Sequence, residues 1–424
     1  MSKRNEKLRI TFILILFLTL LMTWNSLFEE VMCSSASKNL IRISSIYKQS
    51  SLISEWPMFM HDPANTGATV DGPKIGEIIW TAVIESPKYS SSPVIAGGRV
   101  YVAGGRMLYC FDAYKGDYIW ARDVGDAIRS TPAVIHDCIY FTTEDGYIYC
   151  LNANDGELVW RYSIGSWSSL SSPTVIDDRL YIGSSNGSVL CINAETGDLI
   201  WRYNTGGRVD SSPAVVGGSV YVGSYDGNVY ALDAEKGNLK WRYYMGERIV
   251  SSPAVMNERI YIASLYGEVV CLRASDGSLI WEYVPDITLD GGSWVKATPA
   301  ISNCSVFISA DVGYLDCLDG NNGTLRWRKK IDFIIDSNAV VADNYVYIAN
   351  DFTIHCLNIS DGSTIWTCEL EDVSTGSPSV AYNRLYVLTW GRLYCIGDAT
   401  PPHIHVLSPA NHSVVRQIIE ITVD

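Results

Sequence analysis

A tryptophan returns about every 40 residues along most of this chain, and that spacing constrains the fold more than any other feature. The positions are Trp80, Trp120, Trp160, Trp201, Trp241, Trp281, Trp327 and Trp366, at steps of 40, 40, 41, 40, 40, 46 and 39 residues. A fixed period of this length marks a repeat architecture whose units bury their apolar faces against one another. Residues 212–241 show what one unit builds. Pro213 opens a short strand, where its missing N–H does no harm. Gly217-Gly218 turns the chain into Val220-Tyr221-Val222, and Asp226-Gly227 is a two-residue hairpin signal. A third strand runs from Val229 to Leu232, and a turn from Asp233 to Gly237 leads to the fourth, which carries Trp241. Four short antiparallel strands in about 40 residues make one propeller blade.

Three further positions repeat with the tryptophan. An Asx-x-x-x-Gly turn precedes it, as in Asp112 to Gly116 and Asn193 to Gly197, with Arg273 breaking the Asx rule once. Asx side chains bond nearby backbone, and Gly supplies the left-handed position. An aromatic recurs in the second strand (Tyr101, Tyr140, Tyr181, Tyr221, Tyr261, Phe307, Tyr347, Tyr386). A small residue recurs in the third (Cys110, Cys150, Cys191, Ala231, Cys271, Cys317, Cys356, Cys395). Both rings read as core. Equivalent strands of neighbouring blades stand too far apart for disulfides, so these thiols should be buried and unpaired.

The ends of the array complete each other. Trp80 lies in a fourth-type strand with no unit before it, while 378–397 has three strands and no Trp strand. The expected fold is all-β: an eight-bladed propeller of four-stranded antiparallel blades, its ring closed when the strand around 77–84 pairs with 378–397. Closure removes the open edges that invite aggregation.

Outside the array, Lys3, Arg4, Lys7 and Arg9 precede an apolar run from Ile10 to Met22, which reads as a secretory signal. An uncleaved anchor is the competing reading. The expected organisation is signal or anchor at 1–36, lead-in at 37–75, propeller at 76–398, and the start of an incomplete immunoglobulin-like module at 399–424. That places the protein outside the cell or at its surface, touching a membrane only through the N-terminal segment. The net charge of −14, with no basic block in the body, argues against a nucleic-acid partner.

The Ser-Ser-Pro-Ala-Val strand, the Val-Tyr-Val-Gly-Ser-x-Asp-Gly hairpin and the Asx-Ala-x-x-Gly-x-x-x-Trp turn together resemble the pyrroloquinoline-quinone (PQQ)-like propeller repeats. Residues 55–67 (EWPMFMHDPANTG) are similar to the opening of many secreted prokaryotic members. The resemblance covers 55–398. It implies a family containing both quinoprotein alcohol dehydrogenases and the non-catalytic propeller lipoprotein of the outer-membrane β-barrel assembly machinery. Fold is shared there and function is not. In the dehydrogenases the quinone lies between a Trp and a disulfide of adjacent cysteines, with Ca²⁺ beside an Asp base. This chain has 11 cysteines and no adjacent pair, so no catalytic residue and no cofactor is assigned.

Other motifs carry less. Gly183 to Gly187 spells G-x-S-x-G, but on a hairpin rather than the strand-to-helix elbow that chemistry needs. His403 and His405 alternate on a possible surface strand and are not assigned a metal. The loops joining each Trp strand to the next blade share a face with the second-to-third-strand hairpins, and the loop before blade six is extended at 285–296. Functional insertions collect in such loops. The candidate ligand-binding residues on this face are Arg129, Trp167, Arg208, Tyr225, Arg248, Asp290, Trp294, Lys296 and Trp390. Basic and aromatic groups on an acidic chain suit an anionic or sugar ligand. The expected function is a non-catalytic scaffold for a protein or glycan at the cell surface. A quinoprotein oxidoreductase and an extracellular sensor or lectin are the alternatives.

Overall fold

The computed structural model describes residues 55–84, 91–165, 170–285, 297–310, 313–331, 335 and 337–398. The N-terminal segment at 1–36, Cys33 and the C-terminal module at 399–424 lie outside them.

Eight antiparallel sheets of four strands follow one another in chain order. Blade eight is closed as the unmatched ends require. Strand Ile78–Val83 pairs antiparallel with Arg392–Gly397, setting Trp80 opposite Cys395. One sheet has a fifth strand, the two residues Ala68–Thr69, parallel to Val340–Ala342 of blade seven. The propeller has two faces. The loop face carries the connections between blades and the second-to-third-strand hairpins. The turn face carries the first-to-second and third-to-fourth turns.

The repeated residues form the joints between blades. In every fourth strand the register slips just before the Trp, a β-bulge that re-aims the side chain. Trp201 then reaches the turn of the next blade. Its indole N–H donates to Ala234 O at 3.0 Å, and Tyr181 Oη donates to the same oxygen at 3.1 Å. Gly237 lies beneath the Trp201 ring with φ of +72°, and a Cβ there would sit 2.6 Å from the indole. The turn glycine is thus required twice, by backbone and by contact. The same joint links Trp120 and Tyr101 to Ala153, and Trp281 and Tyr261 to Gly320. The seven repeat cysteines are buried, and all ten described cysteines are free thiols.

At the closing seam the N-terminal segment supplies the turn. Gly76 lies under Trp366, and Tyr347 donates to Pro73 O at 2.8 Å. Trp366 Nε1, by contrast, is buried without a partner.

The Ser-Ser-Pro motif has two separate tasks. The first serine accepts the N–H of the residue twelve positions later in its own blade: Ser130 from Thr142 at 2.9 Å, Ser171 from Gly183 at 2.9 Å, Ser211 from Gly223 at 3.0 Å. The second position ties blade to blade. Its backbone N–H donates to the side-chain oxygen of its counterpart in the next blade, through Ser92, Thr131, Ser172, Ser212, Ser252, Thr298, Asn338 and Ser377, and Ser377 returns to Ser92. The eight bonds measure 2.7 to 3.3 Å. They make an unbroken hydrogen-bonded ring around the axial channel, on its loop-face side.

The other end of the channel is filled by the chain itself. Residues 56–67 run across the inner edges of the first strands, and their carbonyls accept the N–H of the second residue of six of them. Trp56 accepts from Ile95, Pro57 from Val134, Pro63 from Val215, Ala64 from Val255, Thr66 from Ile301 and Gly67 from Val341, at 2.6 to 2.9 Å. Side chains spread outward from this hub. Trp56 packs into the core of blades one and eight, Met58 into that of two and three, and Met60 into that of six and seven. Asn65, with φ of +55°, points its amide at blades four and five. Nδ2 lies 3.1 to 3.2 Å from the carbonyls of Ser212, Pro213 and Pro253.

Candidate binding face

The hub occupies the turn-face end of the channel, which leaves the loop face as the place to look for recognition groups. Among the nine candidate residues, Trp167, Asp290, Trp294 and Lys296 lie outside the described residues. The structure brings three of the other five together. Tyr225, in the hairpin turn of blade four, has two guanidinium groups over its ring, Arg208 at 5.6 Å and Arg248 at 5.9 Å from the centroid. Their loops are pinned to neighbouring turns. Tyr225 N–H donates to Arg208 O, and Leu265 N–H to Arg248 O, both at 2.8 Å.

Beneath them is Asp210, 4% exposed, a residue that sequence reasoning missed. It accepts from Arg208 Nε at 2.6 Å, Tyr225 Oη at 2.9 Å and Leu170 N at 3.2 Å. Burial first, then the Asp210 carboxylate, pushes Tyr225 up to about 12, so it remains a hydroxyl and a donor. One carboxylate thus orients a tyrosine and an arginine, while Arg208 and Arg248 together outweigh its charge. A signal was present in the sequence. Asp210 stands three residues before Pro213, where the neighbouring repeats carry Leu170 and Val250.

The remaining two candidates are elsewhere on the same face. Arg129 belongs to the loop before blade two and donates to Glu144 Oε1 at 2.7 Å. Trp390 projects from the hairpin turn of blade eight, 58% exposed.

The turn face has a groove of about 730 Å³ between blades three and four, where the hub steps past blade three. Its most prominent cation, Arg179, donates to the carbonyls of Ala234 and Glu235. Arg259 and Arg384 do the same at equivalent positions, so Arg179 is a joint between blades.

The quinone site implied by the family resemblance can be tested against these residues. None of the 11 cysteines is adjacent to another. Among the described residues no group of three or more His, Cys, Asp or Glu side chains is placed to hold a metal ion. The adjacent cysteine pair of that site therefore has no counterpart in this chain.

Comparison with known proteins gives the same architecture. A family model described as outer membrane protein assembly factor BamB matches residues 66–171, 144–367 and 311–400. The structure is similar to that of BamB from Moraxella catarrhalis, with a TM-score of 0.65 and 19% identity over 77% of this chain and 99% of that one. It is also similar to the quinohemoprotein alcohol dehydrogenase of Comamonas testosteroni, with a TM-score of 0.70 and 16% identity over 85% and 83%. A europium-containing methanol dehydrogenase gives a TM-score of 0.71 and 14% identity over 84% and 100%. At these identities the likenesses speak to fold alone. No curated protein matches the chain.

Proposed function

The chain belongs to the BamB-like family of PQQ-type propellers, and from that premise we propose that it is a non-catalytic binding scaffold that presents its loop face to a protein or glycan at the cell surface. The observation that carries this reading is the Arg208–Tyr225–Arg248 cluster, in which buried Asp210 holds Arg208 and Tyr225, on the face that the hub leaves open. Two guanidinium groups held over one aromatic ring suit a carboxylate, sulfate or phosphate on the partner. Because Arg208 and Tyr225 are already held by Asp210, less conformational entropy is lost on binding.

The test is a titration of the full chain with a sulfated polysaccharide and with a poly-glutamate peptide at low and physiological salt. Binding should weaken about tenfold or more in the Arg208→Ala/Arg248→Ala double variant, a loss equivalent to about 1.4 kcal/mol. Equal binding by the double variant and the wild type would refute the site.

A second reading is kept by the dehydrogenases among the structural neighbours: a quinoprotein oxidoreductase. Titration with pyrroloquinoline quinone and Ca²⁺, followed by absorbance and thermal shift, decides it. Tight Ca²⁺-dependent binding would favour the enzyme over the scaffold.

A further inference from the structure

Two exposed aromatic rings flank one short segment on the loop face of blades seven and eight. Phe352, in the hairpin turn of blade seven, is 46% exposed, and Trp390 is its neighbour on blade eight. Residues 370–374 run between them and are bonded to both turns. Leu370 N–H donates to Phe352 O at 2.7 Å, Ser374 N–H to Asp351 O at 2.6 Å, and Trp390 N–H to Val373 O at 3.0 Å. Both rings therefore stand exposed on backbone fixed through a common strap. Their exposed apolar faces offer area that a ligand can cover.

Charged residues lie on the same strap and turns. Glu371 pairs with Arg392 at 3.2 Å. The Asp372 carboxylate lies against Gly391, the residue next to Trp390, and Asp351 adjoins Phe352. Three carboxylates against one guanidinium leave this patch net negative, so anionic ligands are repelled. Carboxylates and a guanidinium are good partners for hydroxyl groups, and aromatic faces suit the C–H face of a pyranose ring.

We propose that the loop face of blades seven and eight holds a neutral oligosaccharide, with Phe352 and Trp390 stacking against two of its sugar rings and the carboxylates and Arg392 bonding its hydroxyls. The proposal rests on the loop face being the binding face, but it uses different blades from the Arg208–Arg248 cluster. The two sites can therefore fail separately.

The experiment is calorimetric titration of the full chain with cellohexaose, maltohexaose, mannohexaose and chitohexaose. At least one should bind with Kd below about 1 mM. Trp390→Ala and Phe352→Ala should each weaken binding about tenfold or more, Trp390→Phe should retain most of it, and thermal midpoints should stay at the wild-type value. Arg242→Ala, on blade four outside both clusters, should leave the affinity for the neutral sugar unchanged. No heat from any of the four sugars at about 10 mM, or wild-type affinity in Trp390→Ala, overturns the proposal. If the sugars fail while poly-glutamate or sulfated polysaccharide still binds through Arg208 and Arg248, the scaffold stands without this site.

Discussion

Removing the Asn65 side chain should loosen the propeller from its centre. Its amide nitrogen has two hydrogens and three carbonyl partners, on Ser212, Pro213 and Pro253, so one hydrogen is shared. Two buried amide bonds contribute about 1 kcal/mol each net, and stranding their acceptors adds to the loss. Asn65 Oδ1 is buried without a partner, so deleting the side chain returns part of that cost. The balance is a loss of about 2 kcal/mol for Asn65→Gly, which keeps the positive φ. Asn65→Ala should lose about 1 kcal/mol more, because a Cβ strains the left-handed backbone. Denaturant unfolding gives the magnitudes. Native-state hydrogen exchange gives the location: Val215 and Val255, which donate to Pro63 and Ala64, should lose protection before Ile95 does. A loss below about 0.5 kcal/mol, or exchange rising equally at all three amides, would refute the reasoning.

Other expected outcomes follow from the joints and the thiols. Gly237→Ala drives a Cβ into Trp201 at positive φ and should cost about 2–4 kcal/mol by denaturant unfolding. Trp201→Phe removes an indole bond to Ala234, whereas Trp366 has no such bond to lose. Trp366→Phe should therefore be milder by about 1 kcal/mol in the same assay. Burial pushes Cys110, Cys271, Cys356 and Cys395 from the ordinary 9 up to about 12. Among the described thiols, a thiol reagent at pH 8 should modify exposed Cys304 first and reach these four only on unfolding. Because the fold favours their neutral form, their contribution to stability is complete below pH 9 and is lost as pH rises toward 12. A pH series of unfolding midpoints checks the sign.

Much of this was legible in the sequence because it repeats. Eight copies of one pattern reveal the strands, the turn glycines and the buried aromatic and thiol rings, and the unmatched ends reveal the closure. The hub was not legible. It occurs once, and its partners are backbone N–H groups far along the chain, the farthest being Val341, which donates to Gly67 across 274 positions. Composition leaves no trace of such bonds. The Ser-Ser-Pro motif was visible, yet the bond from each second position to the next blade exists only in three dimensions. On the binding face, Arg208, Tyr225 and Arg248 were legible as residue types. Asp210, which orients two of them, stood out only as a departure from the repeat.

The hub also fixes the side on which the propeller's first and last residues stand. Glu55 bonds Gly97 and Tyr382 in two first-to-second turns, so the chain enters the propeller on the turn face. Gly397 N–H donates to Glu77 O, so the last strand leaves on the turn face as well. Both tethering points share one side, as on a plate held from beneath. Residues 55 and 398 thus stand on the side of the propeller opposite the one that carries Tyr225 and Trp390.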